Sequence, residues 1–160
     1  MTDQATIPTI GIKRIKEISF QIREDLLLDS SRTILIEIGQ NLSFAIDEGL
    51  VSFALRFYYH FAEEREPILV DFTVQNVFEI PNLQRFIFER GELKLPPVTI
   101  SNIVGLSISH GRALLAKQLS GTVLQENLPY IVDPANVARH FFPRMFDVQT
   151  AQKADATPAS

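Results

Sequence analysis

Few side chains in this sequence are of the types that carry catalysis or bind metal ions. There are three histidines, His60, His110 and His140, and no cysteine. No two histidines share a metal-ligand spacing, and neither of the two in predicted helices has a carboxylate three or four residues away. We therefore interpret each histidine as a surface or interface residue rather than as a metal ligand or a general base.

The remaining candidates for chemistry are equally weak. The adjacent carboxylates Glu63 and Glu64 lie in a predicted turn with further charged residues, which is typical of a solvated hairpin rather than an acid–base pair. The sequence contains neither a nucleophile-elbow motif nor a phosphate-binding glycine loop. We expect that the protein is not an enzyme and that it uses no cofactor and no metal ion.

Composition and charge argue against nucleic-acid binding. The chain has 160 residues and a formal net charge of −4, whereas nucleic-acid binding needs clustered cations that displace counterions from phosphates. The densest basic cluster, Lys13, Arg14 and Lys16, is too small to follow a phosphate backbone. We therefore expect that the protein does not bind nucleic acid.

The absence of cysteine and the short apolar stretches bear on where the protein works. Without cysteines, neither a disulfide scaffold nor a cysteine-based zinc site can form, which fits a reducing compartment. The apolar stretches are interrupted by charge, so no stable membrane insertion is expected. The first eight residues lack the features of a signal peptide. We expect a cytoplasmic protein with one domain over residues 1–146 and a flexible tail over residues 147–160.

The first part of the sequence is predicted to form β-strands. Large apolar residues recur at every second position in three consecutive runs, over residues 34–46, 51–61 and 68–80. Such alternation predicts strands with one buried face, and connections this short require antiparallel neighbours. A weaker run over residues 10–22 predicts another strand, and its phase slip between Ile12 and Ile15 indicates a bulge.

Helices follow the strands. After a crossing segment over residues 81–97, with a short helical turn near its start, an apolar stripe over residues 100–119 predicts a long helix. Thr99 or Ser101 is its expected N-cap. A shorter helix is predicted from Asp133-Pro134 to Phe142. The predicted fold class is α+β, a four-stranded antiparallel sheet with a long and a short C-terminal helix packed on one face.

The sequence carries more apolar surface than two helices and one sheet face can cover. The excess lies in the crossing segment and around the second helix, at Phe86, Ile87, Phe88, Phe141, Phe142 and Phe146. Excess apolar surface indicates self-association or a binding groove. Small residues on the long-helix stripe permit close approach of another backbone. We therefore predict a homo-oligomer, a tetramer in preference to a dimer, whose interface contains Ile103, Ser107, Gly111 and Leu114.

The order of these elements and several short strings resemble SecB, the cytosolic chaperone of protein export. Residues 12–20 contain the string Lys-Glu-Ile-Ser-Phe, which is similar to the opening strand of SecB. Residues 69–80 resemble its fourth strand. Residues 97–119, Asn127-Leu128-Pro129 and residues 133–142 follow its two closing helices. The resemblance covers nearly the whole chain, and the element order is more specific than any single string.

The resemblance implies a dimer of dimers joined largely through the long helix, and a function without catalysis. SecB holds unfolded preproteins in long apolar grooves and passes them to the translocation ATPase SecA. Holding works by mass action, because a partner that binds only the unfolded chain withdraws it from folding and aggregation. The implied partners are therefore unfolded preproteins and SecA.

Two surfaces are expected to serve these partners. The client groove is predicted to be lined by the end of the fourth strand and by the crossing segment, at Phe78, Ile80, Leu83, Phe86 and Phe88. The alternative is that these residues only fill the core. SecA docking is predicted on the uncovered sheet face, where Glu17, Leu69 and Asp71 match SecB positions although Gln21 replaces an acid. Strand parity places all three of these residues in solvent.

Three other interpretations remain open. One is a SecB-like chaperone dedicated to a toxin–antitoxin module or another specific partner. A second is a small-ligand binder of hot-dog type, although that fold places its main helix after the first strand and this helix follows all four. The third is a structural homo-oligomer without a client, which would bind little of an apolar dye.

Overall fold

The computed structural model describes residues 7–27, 31–88 and 90–147. Four strands, β1 (Gly11–Ile22), β2 (Ile34–Ala45), β3 (Leu50–Phe61) and β4 (Val70–Glu79), precede two helices, α1 (Pro97–Leu119) and α2 (Pro134–Phe141). Short 3-10 turns lie at Glu24–Leu26, Leu83–Phe86 and Pro143–Met145. This is the predicted α+β class. The predicted flexible tail lies outside the described residues, except for Asp147.

The four strands form one antiparallel sheet in the order β1-β4-β3-β2. β3 and β4 are therefore central, and β1 and β2 are the two edges. On β3 the residues Val51, Phe53, Leu55, Phe57 and Tyr59 are fully buried, while the residues between them are more exposed. The alternation in the sequence thus has its predicted cause, a sheet with one covered face.

β1 is the irregular edge. Its register against β4 shifts between Ile12 and Arg14 and again between Glu17 and Ser19. The first shift confirms the predicted bulge. The second was not predicted, and it turns residues 14–17 to the opposite face of the sheet, while the first shift reverses the direction again for Gly11 and Ile12.

α1 covers the central strands β3 and β4, and α2 packs beside α1. α1 begins at Pro97 with Pro96 as its N-cap. The prediction of a Thr99 or Ser101 cap is wrong, because Thr99 is buried and the Ser101 hydroxyl donates to Pro97 O at 2.7 Å. Proline needs no amide partner, so it can occupy the first position without a side-chain cap.

The start of α2 agrees with the sequence. The Asp133 carboxylate accepts a hydrogen bond from the Ala135 amide at 2.9 Å, and Pro134 occupies the first turn. The predicted end of α1 is also confirmed, since Ser120 is the C-cap and Gly121 has a positive φ of 80°. That left-handed conformation favours glycine and stops the helix.

Candidate functional site: a groove beside an open strand edge

An apolar concavity lies on the helix side of β2. It is bounded by Leu42 and Phe44 on β2, by Leu93 of the crossing segment, and by Phe142 and Met145 after α2, and it encloses about 420 Å³. Phe44 is 37% exposed although its side chain lies on the sheet face that the helices cover. We call this concavity and its continuation toward Ile38 the β2 groove.

The continuation is a second concavity of about 460 Å³ between Ile38 on β2 and Val137, His140 and Phe141 on α2. Phe141 lines both spaces, so the groove follows β2 from Ile38 to Phe44. β2 is a sheet edge, and therefore one wall of the groove is an open strand. The shape suits an extended polypeptide better than a compact small molecule.

The predicted groove residues only partly coincide with this site. Phe78, Ile80 and Leu83 are fully buried in the core, so the expectation that they line an open groove is wrong for these three. Phe86 is half-buried and packs on the core, whereas Phe88 is 54% exposed. The ammonium of Lys94, which lines the groove, lies 5.1 Å from the Phe88 ring centroid. Phe88 therefore belongs to the rim.

Sequence reasoning missed the β2 wall. Leu42 and Phe44 share the parity of the buried strand face, and the strand order that leaves them at an edge cannot be derived from alternation alone. A signal was present for the opposite wall, because Phe141 and Phe142 belong to the excess apolar residues that two helices could not bury.

The predicted docking patch is not formed as expected. Gln118 on α1 donates to Glu17 Oε1 at 2.6 Å, and Glu17 lies opposite the buried Val74. Glu17 therefore faces the helix side, because the unpredicted bulge next to it reverses its direction. Leu69 is fully buried, since it precedes β4 and strand parity does not extend to it. The expectation that both residues face solvent is wrong.

Asp71 does lie on the outward sheet face, but its carboxylate is already paired. Arg56 Nε and Arg56 Nη2 donate to its two oxygens at 2.8 and 2.6 Å, and this pairing lowers the pKa of Asp71. A bidentate pair directs the carboxylate along the sheet. Glu17, Leu69 and Asp71 thus do not form the predicted patch of an exposed leucine between two free acids.

A second polar cluster on the outward face surrounds Glu37. Its carboxylate accepts hydrogen bonds from Tyr58 Oη at 2.6 Å, His60 Nε2 at 2.8 Å and Arg65 Nη2 at 3.2 Å. His60 is buried, so the interpretation of this histidine as a surface residue is wrong. Its Nδ1 lies 2.8 Å from Phe61 O. Both ring nitrogens face acceptors, so the geometry is satisfied only by the imidazolium.

This geometry predicts a pH dependence of stability. The bond to Phe61 O, together with Glu37, raises the pKa of His60 although burial opposes it. The stabilisation from His60 is therefore complete below its unfolded value of about 6.5 and is lost as pH rises through the raised folded value. His110, whose pKa burial lowers, contributes in the opposite direction. Comparing the melting temperatures of the protein and of His60→Gln between pH 5.5 and 8.5 isolates His60.

The advantage of the unmodified protein over His60→Gln should be largest at pH 5.5 and should shrink steadily toward pH 8.5. Both proteins keep His110, so its contribution cancels in the difference. A difference that stays constant with pH would contradict the assignment of a protonated His60.

The predicted oligomer interface faces inward. Ile103 and Ser107 are fully buried, and Gly111 is buried against the sheet. A Cβ built on Gly111 would lie 2.6 Å from Phe57 Cε2 and 3.1 Å from Val74 Cγ1. The small residues do permit a close approach, but the approach is that of α1 to its own sheet. Only Leu114 is partly accessible, so the predicted interface is wrong for the other three residues.

The outer surface of the helix layer carries a different apolar area. Tyr130 and Ile131, in the connection between the helices, are 88% and 84% exposed, and Leu106 on α1 is also exposed. Beside them a cavity of about 290 Å³ lies between α1 and this connection, with Ala113 and Ile131 in its wall. We call this area the outer helix surface.

Two kinds of site are absent from the described residues 7–27, 31–88 and 90–147. No group of three or more potential metal-ligating side chains comes together there. Within the same residues, no helix has the length and apolarity required to cross a bilayer.

Comparison with known proteins supports the fold. No protein-family profile matches the sequence, and no curated protein matches it either. Among solved structures, the chain is similar to the SecB-like chaperone Rv1957 of Mycobacterium tuberculosis, solved in complex with a ChAD peptide from the Rv1956 HigA1 antitoxin. The TM-score is 0.50 at 10% identity, over 77% of this chain and 89% of that chain. The four-stranded antiparallel sheet with its two helices is a SecB-like fold.

Proposed function

We propose that this protein is a holding chaperone that binds unfolded polypeptides in the β2 groove. The observation that carries the proposal is the groove itself, an apolar channel along an open strand edge, with Phe44 and Phe88 accessible on its wall and rim. A polypeptide that enters it only when unfolded is withdrawn from aggregation by mass action. The proposed site of action is the cytoplasm.

The similarity to Rv1957 agrees with this function, because that chain was solved with a bound peptide. The β2 groove is open to solvent along β2, which favours an extended polypeptide over the small ligand of a hot-dog protein. A structural oligomer without a client has no use for accessible aromatic side chains beside a channel.

The proposed clients fall into two classes. One class consists of unfolded preproteins that pass to SecA, and the other is a dedicated partner such as the antitoxin of a toxin–antitoxin module. The outward sheet face favours the dedicated partner, because Leu69 is buried, Glu17 faces α1 and Asp71 is paired with Arg56. We therefore expect no SecA binding in calorimetry, and tight SecA binding would restore the export assignment.

We also propose a homo-oligomer, a tetramer in preference to a dimer, that assembles through the outer helix surface. Exposed Tyr130 and Ile131 flank a cavity beside α1, and a contiguous apolar area of this kind is typical of an interface. A polar substitution there, Ile131→Asp, should lower the mass measured by light scattering and leave the melting of the monomer fold in place. A mass near 18 kDa for the unmodified protein at micromolar concentration would contradict the oligomer.

The function is tested by aggregation of a chemically unfolded client diluted into buffer. Stoichiometric amounts of the protein, without nucleotide, should suppress light scattering, and an equal mass of an unrelated acidic protein should not. A protein without any effect on several unrelated clients, and without affinity for an antitoxin-type peptide, is not a chaperone.

A further inference from the structure

The two edges of the sheet differ in how they are protected. β1 carries Lys13, Arg14 and Lys16 and two register shifts, which are the devices that keep an edge from pairing with another chain. β2 pairs with β3 in continuous register over residues 34–45 and contains no lysine, arginine or proline. A long, regular and nearly uncharged edge is a template for another strand.

The single charged side chain on β2, that of Glu37, is already hydrogen-bonded within the chain. Glu37 accepts hydrogen bonds from Tyr58, His60 and Arg65, and its side chain points to the outward face. It therefore stands neither in the β2 groove nor in the way of a strand that pairs with the edge. Among the described residues, the only strand adjacent to β2 is β3.

The backbone direction along β2 follows from both of its ends. Ala62 N donates to Thr33 O at 2.8 Å, and the turn that joins β2 to β3 is closed by Gly49 N donating to Ile46 O, which fits a bonded pair between Ala45 and Leu50. In β2, the odd-numbered residues therefore direct their N–H and C=O groups to β3. The even-numbered residues of β2 direct the same groups to the free edge. The even-numbered side chains also face the groove.

The charges at the end of the groove near Phe44 are unequal. Lys94 and Arg144 line this end together with one acid, Glu92, which lies 3.8 Å from Arg144. One cation is thus in excess, and an acidic side chain of an occupant complements it. An antiparallel occupant has its N-terminal end here, beside the C-terminal end of β2.

We propose that the free edge of β2 accepts a segment of the client as a fifth, antiparallel strand. Its alternate apolar side chains enter the β2 groove, and an acidic residue near its N-terminal end lies beside Lys94 and Arg144. This inference rests on the proposed holding function and specifies the mode of binding. Main-chain hydrogen bonds supply affinity for any sequence, and the groove selects apolar residues at every second position.

Peptide probes test the backbone pairing directly. The probe is a fluorescent ten-residue peptide that alternates apolar residues with threonine and begins with aspartate. Residues opposite the even-numbered positions of β2 share their face and bond to them, so the apolar residues of the probe donate to the edge. N-methylation of the apolar residues should weaken binding at least tenfold. N-methylation of the threonines, the matched control, should weaken it less than threefold.

A pair of protein variants tests the same backbone pairing by changing the protein instead of the peptide. The amide of Gln40 points to the free edge, so Gln40→Pro removes no hydrogen bond within the sheet, and proline is tolerated at such positions. Gln40→Pro should weaken probe binding at least tenfold, and Gln40→Ala, which keeps the amide, less than twofold. Melting temperatures establish that both variants fold. If Gln40→Pro does not fold, the two methylated probes decide alone.

A further probe tests the charge complementarity. Replacing the first aspartate of the probe by lysine should weaken binding severalfold at low salt and less at high salt, and an unchanged affinity overturns this part. If the two N-methylated probes lose affinity equally, the strand addition is overturned. If the protein still suppresses client aggregation in that case, the holding function stands. A drop in the oligomer mass of Gln40→Pro, with no probe binding to the unmodified protein, overturns it in favour of pairing between two copies of the chain.

Discussion

Replacing Gly111 by leucine should destabilise the fold by about 3 kcal/mol or more, the upper end of what added volume costs in a packed core. The first atom of the new side chain would lie 2.6 Å from Phe57 Cε2 and 2.9 Å from Phe57 Cζ. Both carbons belong to a fully buried ring, so the neighbour cannot move aside. Denaturant unfolding should show a lower midpoint, and the melting temperature should fall by about 10 °C.

The matched control for this prediction is Asn102→Leu. Asn102 lies on the same helix, is exposed and does not line the cavity of the outer helix surface, so the same side chain meets solvent there. We expect its melting temperature to change by less than a third of the change in Gly111→Leu. If Gly111→Leu lowered the oligomer mass without lowering the stability of the fold, α1 would contact another subunit through this face.

Replacing Phe44 by serine should weaken client binding about tenfold or more without loss of stability. Phe44 is 37% exposed on the wall of the β2 groove, so its ring is available to a client. An aromatic anchor of this kind contributes about 2 kcal/mol to an interface, and 1.4 kcal/mol corresponds to a factor of ten in affinity. Suppression of client aggregation, titrated by light scattering, measures the effect.

Leu35→Ser is the control for the groove. Leu35 lies on the same strand and is 44% exposed, but on the outward face. This variant should suppress aggregation as well as the unmodified protein does. Equal losses of suppression in both variants would place client binding on both faces of β2 and contradict a groove on the helix side.

The sheet could be predicted because alternation is a direct consequence of strand geometry. Val51, Phe53 and Leu55 are fully buried as their parity requires. The prediction failed where one inserted residue changed the parity. Ile18 and Phe20 alternate in the sequence, yet the register shifts between Glu17 and Ser19. Nothing in the residue types marks this bulge, so strand parity assigns Glu17 to the wrong face.

The candidate site was harder to predict because it depends on which elements are neighbours. The order β1-β4-β3-β2 makes β2 an edge, and no local pattern specifies that order. Phe78 and Ile80 are large apolar residues of the same parity as Phe44, but they lie on a central strand or directly after it and are fully buried. The small residues of α1 likewise show that something approaches closely, but not whether it is the sheet or another subunit.

Photo-crosslinking to an unfolded client tests the central claim most directly. A photoreactive phenylalanine analogue is placed at position 44 in one variant and at position 35 in another, so that the two probes lie on the same strand and on opposite faces. Our account predicts client crosslinks from position 44 and few from position 35, with the bound client lacking the hydrogen-exchange protection of its native fold. Equal crosslinking from both positions, or a bound client with native protection, would contradict a groove that holds unfolded polypeptides.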